Sequence, residues 1–111
     1  MEADIKVIQL TEAEDGQVIN MAQADRVNIT LPENPTTGYR WEISGIDAAV
    51  LRLEKSTYAL GPHGAPGGGG IRTISFQGLS PGTSSLVLKL WRSWVGDPSV
   101  IRRFGVIINV Q

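Results

Sequence analysis

The chain has 111 residues, with ten Lys or Arg against eleven Asp or Glu, a net charge of -1, 41% hydrophobic residues and no cysteine. That length and apolar content suit one domain around one core, and charge spread without blocks leaves no electrostatic footprint for nucleic acid or an anionic membrane. The missing cysteine excludes a disulfide framework, a thiol nucleophile and thiolate metal sites.

Residues 1–6 carry neither a basic n-region nor an apolar h-region, and no later run is long enough to span a bilayer, so the chain as given is expected to be soluble. These residues do not fix a compartment; a secreted, periplasmic or vesicular location stays open. Helical periodicity is nearly absent, whereas short alternating runs of Val, Ile, Leu, Thr and aromatic residues recur, which makes the class all-β. The pattern predicts strands near residues 4–10, 17–21, 26–31, 39–44, 50–58, 71–77, 84–91 and 100–110. Val27, Ile29 and Leu31 share one face, as do Tyr39, Trp41 and Ile43, then Leu86, Leu88 and Leu90, then Phe104, Val106, Ile108 and Val110. These are the expected core. The intervening Arg26, Asn28, Thr30, Arg40, Glu42 and Lys89 give each sheet a wet face, which favours an antiparallel β-sandwich of seven to eight strands.

Residues 45–49 and 78–83 read as plain turns, with Pro81-Gly82 suited to the centre of a type II turn. Three connections are richer: residues 32–38, the Gly/Pro stretch 61–70, and residues 92–99. If successive strands alternate up and down, these three follow the third, fifth and seventh strands and share one end, with the plain turns at the other. Loops grouped on a rigid sandwich form a binding surface. The densest is Asn34-Pro35-Thr36-Thr37-Gly38-Tyr39. Pro35 fixes its own φ and pushes Asn34 towards extended backbone, Gly38 admits a positive φ or a close neighbour, and the β-branched Thr36 and Thr37 lose little rotamer freedom on docking. A loop that is rigid when free gives up less entropy on binding.

Catalytic and metal constellations find little support. His63 is the single histidine and has no spaced partner, so a Ser/His/Asp arrangement or a His-based metal site has no basis, and the carboxylates read as solvated surface charge. Gly67-Gly68-Gly69-Gly70 is followed by a strand and lacks the Lys-Ser/Thr of a phosphate loop. Of three tryptophans, Trp41 reads as core, Trp91 lies opposite Leu86, Leu88 and Leu90, and Trp94 stands in a loop near Arg92. That last pairing has the composition of a binding hot spot, against the bland alternative of an indole folded back on its own sheet.

Three motifs together resemble the chagasin-type inhibitors of papain-like cysteine proteases. Asn34 to Tyr39 reproduces the family's Asn-Pro-Thr-Thr-Gly-aromatic motif completely. Gly67, Gly68, Gly69 and Gly70 meet its Gly-x-Gly-Gly loop, and Arg92-Ser93-Trp94 stands where the family has Arg-Pro-Trp. Serine for proline is expected to loosen the free loop, by about 0.4 to 1 kcal/mol of extra ordering cost. The resemblance covers nearly the whole chain. It implies an Ig-like sandwich, a single inhibitor domain over residues 1–111, no enzymatic activity, no cofactor or metal, and a monomer whose partner is a papain-like, cathepsin L-like cysteine protease. The implied mode is reversible, non-covalent filling of the groove. Thr36 and Thr37 would then lie near the reactive Cys-His pair, Gly38 would leave room for the groove wall, Trp94 would sit on the primed side with Arg92 at the rim, and the glycine loop would approach the other side. The rival reading is a carbohydrate-binding or adhesion sandwich that uses exposed Trp91 and Trp94 as stacking platforms.

Overall fold

The structure, a computed structural model, describes residues 4–60 and 69–111. Eight strands build it: β1 (Val7–Leu10), β2 (Val18–Met21), β3 (Arg26–Glu33), β4 (Arg40–Gly45), β5 (Leu51–Leu60), β6 (Gly70–Gly78), β7 (Gly82–Trp91) and β8 (Arg102–Val110). They form two four-stranded sheets, in the orders β1-β3-β6-β5 and β2-β8-β7-β4. All eight predicted runs are present, most of them shifted by one to three residues. The inward positions of facing strands close one core, in which Val27, Ile29, Phe76, Leu86, Leu88 and Ile108 are wholly buried. Tyr39 and Ile43, expected in that core, are half-buried and pack on its margin. Leu10, Met21, Val50, Leu51 and Ile74 join it.

Four strand pairs are antiparallel, and the two N-terminal edge strands join in parallel: β1 beside β3 and β2 beside β8. The cause is the alternation itself. Odd strands run towards one end and even strands towards the other, so a strand placed beside another of the same parity must be parallel to it. The chain moves from one sheet to the other through residues 11–17, where Thr11 and Glu14 form a reciprocal capping box on a short 3-10 turn. No long crossover is needed, because neither parallel pair is consecutive.

Alternation also sorts the connections. Residues 45–50 and 78–82 meet at one end, where the Leu79 amide donates to Val50 O at 2.8 Å and Ser80 Oγ donates to Ala49 O at 2.6 Å. Gly82 has φ 158° and opens β7 opposite Val110, so Pro81-Gly82 is a strand entry and not the corner of a type II turn. The connections after β3 and β7 lie together at the opposite end, with Gly69, the described end of the connection after β5, against Asn34. Gly70, expected in the glycine loop, belongs to β6, where it pairs with both Glu33 and Leu60. A side chain there would run into Ala59 O and the Tyr58 hydroxyl. Gly67, Gly68 and His63 lie outside the described residues.

Candidate functional site

The 34–39 loop is held almost wholly by its own atoms. Asn34 is the N-cap of a 3-10 turn, Pro35–Thr37: its Oδ1 accepts from the Thr36 amide at 3.1 Å and from Thr36 Oγ1 at 2.6 Å. Its backbone carbonyl accepts from the Thr37 amide at 3.2 Å and from Thr37 Oγ1 at 2.7 Å. Gly38 ends the turn in the left-handed region at φ 82°, with its amide on Pro35 O. Asparagine as cap, proline at the first position and glycine as stop are the residues that geometry favours. Both threonine hydroxyl protons are therefore used inside the loop, Thr37 Oγ1 also accepts from the Tyr39 amide at 3.4 Å, and both threonines are exposed.

A second tie lies just beneath. Glu33, 3% exposed, accepts from the Trp41 amide at 2.7 Å through Oε1 and from Arg72 Nη2 and Nε at 2.7 and 3.0 Å through Oε2. Trp41 belongs to the opposite sheet, so one carboxylate stitches the two sheets together at the mouth of the sandwich. The Trp41 indole adds a bond to Pro32 O at 2.9 Å. Sequence reasoning did not single out Glu33. The available signal was its place on the inward phase of β3, after Val27, Ile29 and Leu31, where a charge requires partners.

The third loop is joined to the first. Arg92 Nε and Nη2 donate to the Thr37 carbonyl at 3.0 and 2.8 Å, and the guanidinium lies over the Tyr39 ring, 4.3 Å from its centroid. Arg92 thus acts as a brace between the two loops. Trp94 is 71% exposed, yet its indole edge rests on Gly38, where a Cβ would come within 2.6 Å of Cη2. Glycine is thus required twice at position 38, by φ and by the neighbouring ring. Gly69, at φ 75°, lies against Asn34 and Glu33 O, which brings the described end of the glycine connection to the same cluster. A cleft of about 380 Å³ lined by Pro32, Thr37, Tyr39, Gly69, Leu90 and Ile101 opens between them.

Trp91 stands apart. Its indole N–H donates to Glu42, and Lys89 Nζ sits 3.4 Å from the centre of the ring, so it covers the outer sheet. Among the described residues no group of three His, Cys, Asp or Glu side chains is placed to hold a metal ion.

A sandwich that carries two mutually braced loops at one end, with Gly69 packed against the first of them, has the form of a loop-presenting binding protein. The family model described as chagasin family peptidase inhibitor I42 matches residues 20–108. The chain belongs to this family, and family and homologues alike are inhibitors of peptidases and not enzymes. It is 34% identical over 104 residues to Amoebiasin-2 of Entamoeba histolytica, covering 90% of this chain and 84% of that protein. To Chagasin of Trypanosoma cruzi it is 28% identical over 108 residues, covering 93% and 97%. Among solved structures, the cysteine protease inhibitor EhICP2 from Entamoeba histolytica matches with a TM-score of 0.85 at 25% identity, over 99% of this chain and 100% of that one. PbICP-C, solved in complex with falcipain-2, shares the fold at a TM-score of 0.68 and 16% identity, over 99% and 96%.

Proposed function

We propose that this cysteine protease inhibitor acts by reversible, non-covalent occupation of a papain-like, cathepsin L-like active-site groove, with the loops at one end of the sandwich as the wedge. The observation that carries the reading is the exposed Trp94 indole seated on Gly38, on a loop that Arg92 ties to Thr37. Exposed apolar side chains stand at the same site, with Val95 following Trp94 on its loop and Ile101 lining the cleft beside Thr37 and Tyr39. Asn34, Pro35, Thr36, Thr37, Gly38 and Tyr39 form the central finger. Arg92 and Trp94 form the second. Gly69 and Gly70 stand at the root of the third, and Gly67 and Gly68 are assigned to it on the motif alone.

Survival of the inhibitor follows from the loop's shape. A peptide bound as an added strand lies extended. Residues 35–37 are curled into a 3-10 turn held by Asn34, and straightening them would break all four bonds to Asn34. The finger fills the groove without offering an extended scissile bond. The exposed Thr36 hydroxyl, its proton used on Asn34, suits a donor on the enzyme such as an imidazole or an amide. Complexes of this kind typically bury about 1,600 Å² in total, an area within the reach of three adjacent loops.

Active-site-counted papain and a cathepsin L-like enzyme, titrated with the parent chain and with Trp94→Ala, test this. The variant is expected to lose about 2 to 4 kcal/mol of binding, and a change below tenfold contradicts the assignment of Trp94 as an anchor. The carbohydrate reading keeps one platform at most, because the Trp91 ring is covered by Lys89. A tryptophan fluorescence shift with soluble glycans and none with papain would favour it.

A further inference from the structure

The turn that presents Trp94 is Arg92-Ser93-Trp94-Val95, closed by the Val95 amide on Arg92 O at 3.0 Å, with the Gly96 amide on the same oxygen at 3.0 Å. Ser93 occupies the second position of that turn, where proline is favoured because it pre-sets φ. A serine there supplies no such lock, so the turn must be held in another way. The residue that does so is six positions on. Ser99 is buried, 9% exposed, and its Oγ accepts from the Arg92 amide at 2.9 Å while lying 2.6 Å from Gly96 O and 3.0 Å from Arg92 O. Its own amide donates to Gly96 O at 2.9 Å. A hydroxyl has one proton to give, and the shorter contact to Gly96 O takes it. One side chain thereby pins both ends of the turn: Arg92 where it leaves β7, and Gly96 where it closes.

We propose that Ser99 is the positioning residue of the Trp94 loop, a hydroxyl clamp that supplies the pre-organisation Ser93 cannot. Through Arg92 the clamp also sets the guanidinium that braces Thr37, so its reach extends to the 34–39 loop. Its consequence for inhibition rests on the protease reading above; its consequence for the loop does not. The sequence carries no sign of it, since Ser99 follows Asp97-Pro98 in what reads as an ordinary polar connection.

The test uses Ser99→Ala, Ser93→Pro and the double variant, each measured for protease affinity, melting temperature and amide hydrogen exchange at Arg92, Val95 and Gly96. Ser99→Ala is expected to weaken inhibition about tenfold and to speed exchange at those three amides, as loss of pre-organisation does. Adding Ser93→Pro is expected to bring affinity back to within about threefold of the parent, whereas Ser93→Pro alone changes it less than about twofold, because the parent loop is already set. Inhibition and exchange both unchanged in Ser99→Ala overturn the clamp, as does a loss that Ser93→Pro fails to repair in a variant with unchanged melting temperature. If the parent itself inhibits no papain-like enzyme, the functional reading fails while exchange still judges the clamp: unaltered rates at Arg92, Val95 and Gly96 in Ser99→Ala refute it.

Discussion

Gly38 carries two constraints that a single substitution violates together. Gly38→Ala forces a Cβ into the left-handed region, at about 1 to 2 kcal/mol, and pushes the Trp94 indole off its seat. The expected result is a melting temperature lower by several degrees together with weaker inhibition. Arg92 is a planar fork on one carbonyl while lying over the Tyr39 ring, and lysine, a single point charge, cannot do both at once. Arg92→Lys should therefore weaken inhibition about as much as Arg92→Ala, by about 1 to 2 kcal/mol in a binding assay; retention of affinity by the lysine variant would show that charge alone matters. Glu33→Ala strands the Trp41 amide and leaves Arg72 without its carboxylate. A loss of about 3 to 5 kcal/mol in denaturant unfolding is expected. At this scale the sequence was legible where a residue type answers to one backbone demand, as Asn34, Pro35 and Gly38 do. It was silent where a side chain chooses among partners brought together by the fold. The bracing of Thr37 by Arg92, the internal use of the threonine hydroxyls and the Ser99 clamp all belong to that second kind.

Strands were readable from alternation, because one buried face imposes a period of two. Their neighbours were not, since the parallel placement of β1 and β2 depends on the chain changing sheets at residues 11–17. β5 is a long, mostly exposed edge strand. Its ladder is interrupted between Leu53 and Lys55, and Arg52, Glu54 and Lys55 line the exposed run. Bulges and charges of this sort keep an edge from pairing with another chain. Replacing both Glu54 and Lys55 with valine is expected to produce concentration-dependent association in sedimentation, while the parent stays monomeric. At the plain end, Asp25 accepts from the Lys6 and Ala22 amides at 3.0 and 2.9 Å and ties β1 to the bend before β3. The Lys6 amide first, then the Ala22 amide, hold its carboxyl below the ordinary aspartate range. A depressed folded pKa means the stabilisation is present above the unfolded pKa, near about 3.9, and is lost as pH falls through the folded value. Melting temperature followed into acid should fall less steeply in Asp25→Asn than in the parent.

For the molecule as a whole, a division of labour explains why the two ends differ. The plain turns are short and bonded to one another, and the sandwich between is an apolar frame closed by the Glu33 tie. The loops above it are set by local capping and by contacts with each other. Such a frame loses little freedom when it docks, which is how a surface of ordinary size reaches useful affinity. The gathering of the connections after β3 and β7 at one end, with Gly69 beside them, was legible from strand counting and turn composition, because alternation alone dictates it. Gly67 and Gly68 stay with the motif. The most direct measurement is the titration of active-site-counted papain with the intact chain, followed by mass analysis of the mixture. Residual hydrolysis should fall in a straight line to nothing at equimolar inhibitor, with the chain recovered uncut. Undiminished hydrolysis at equimolar mixing, or cleavage between residues 34 and 39, would contradict the account.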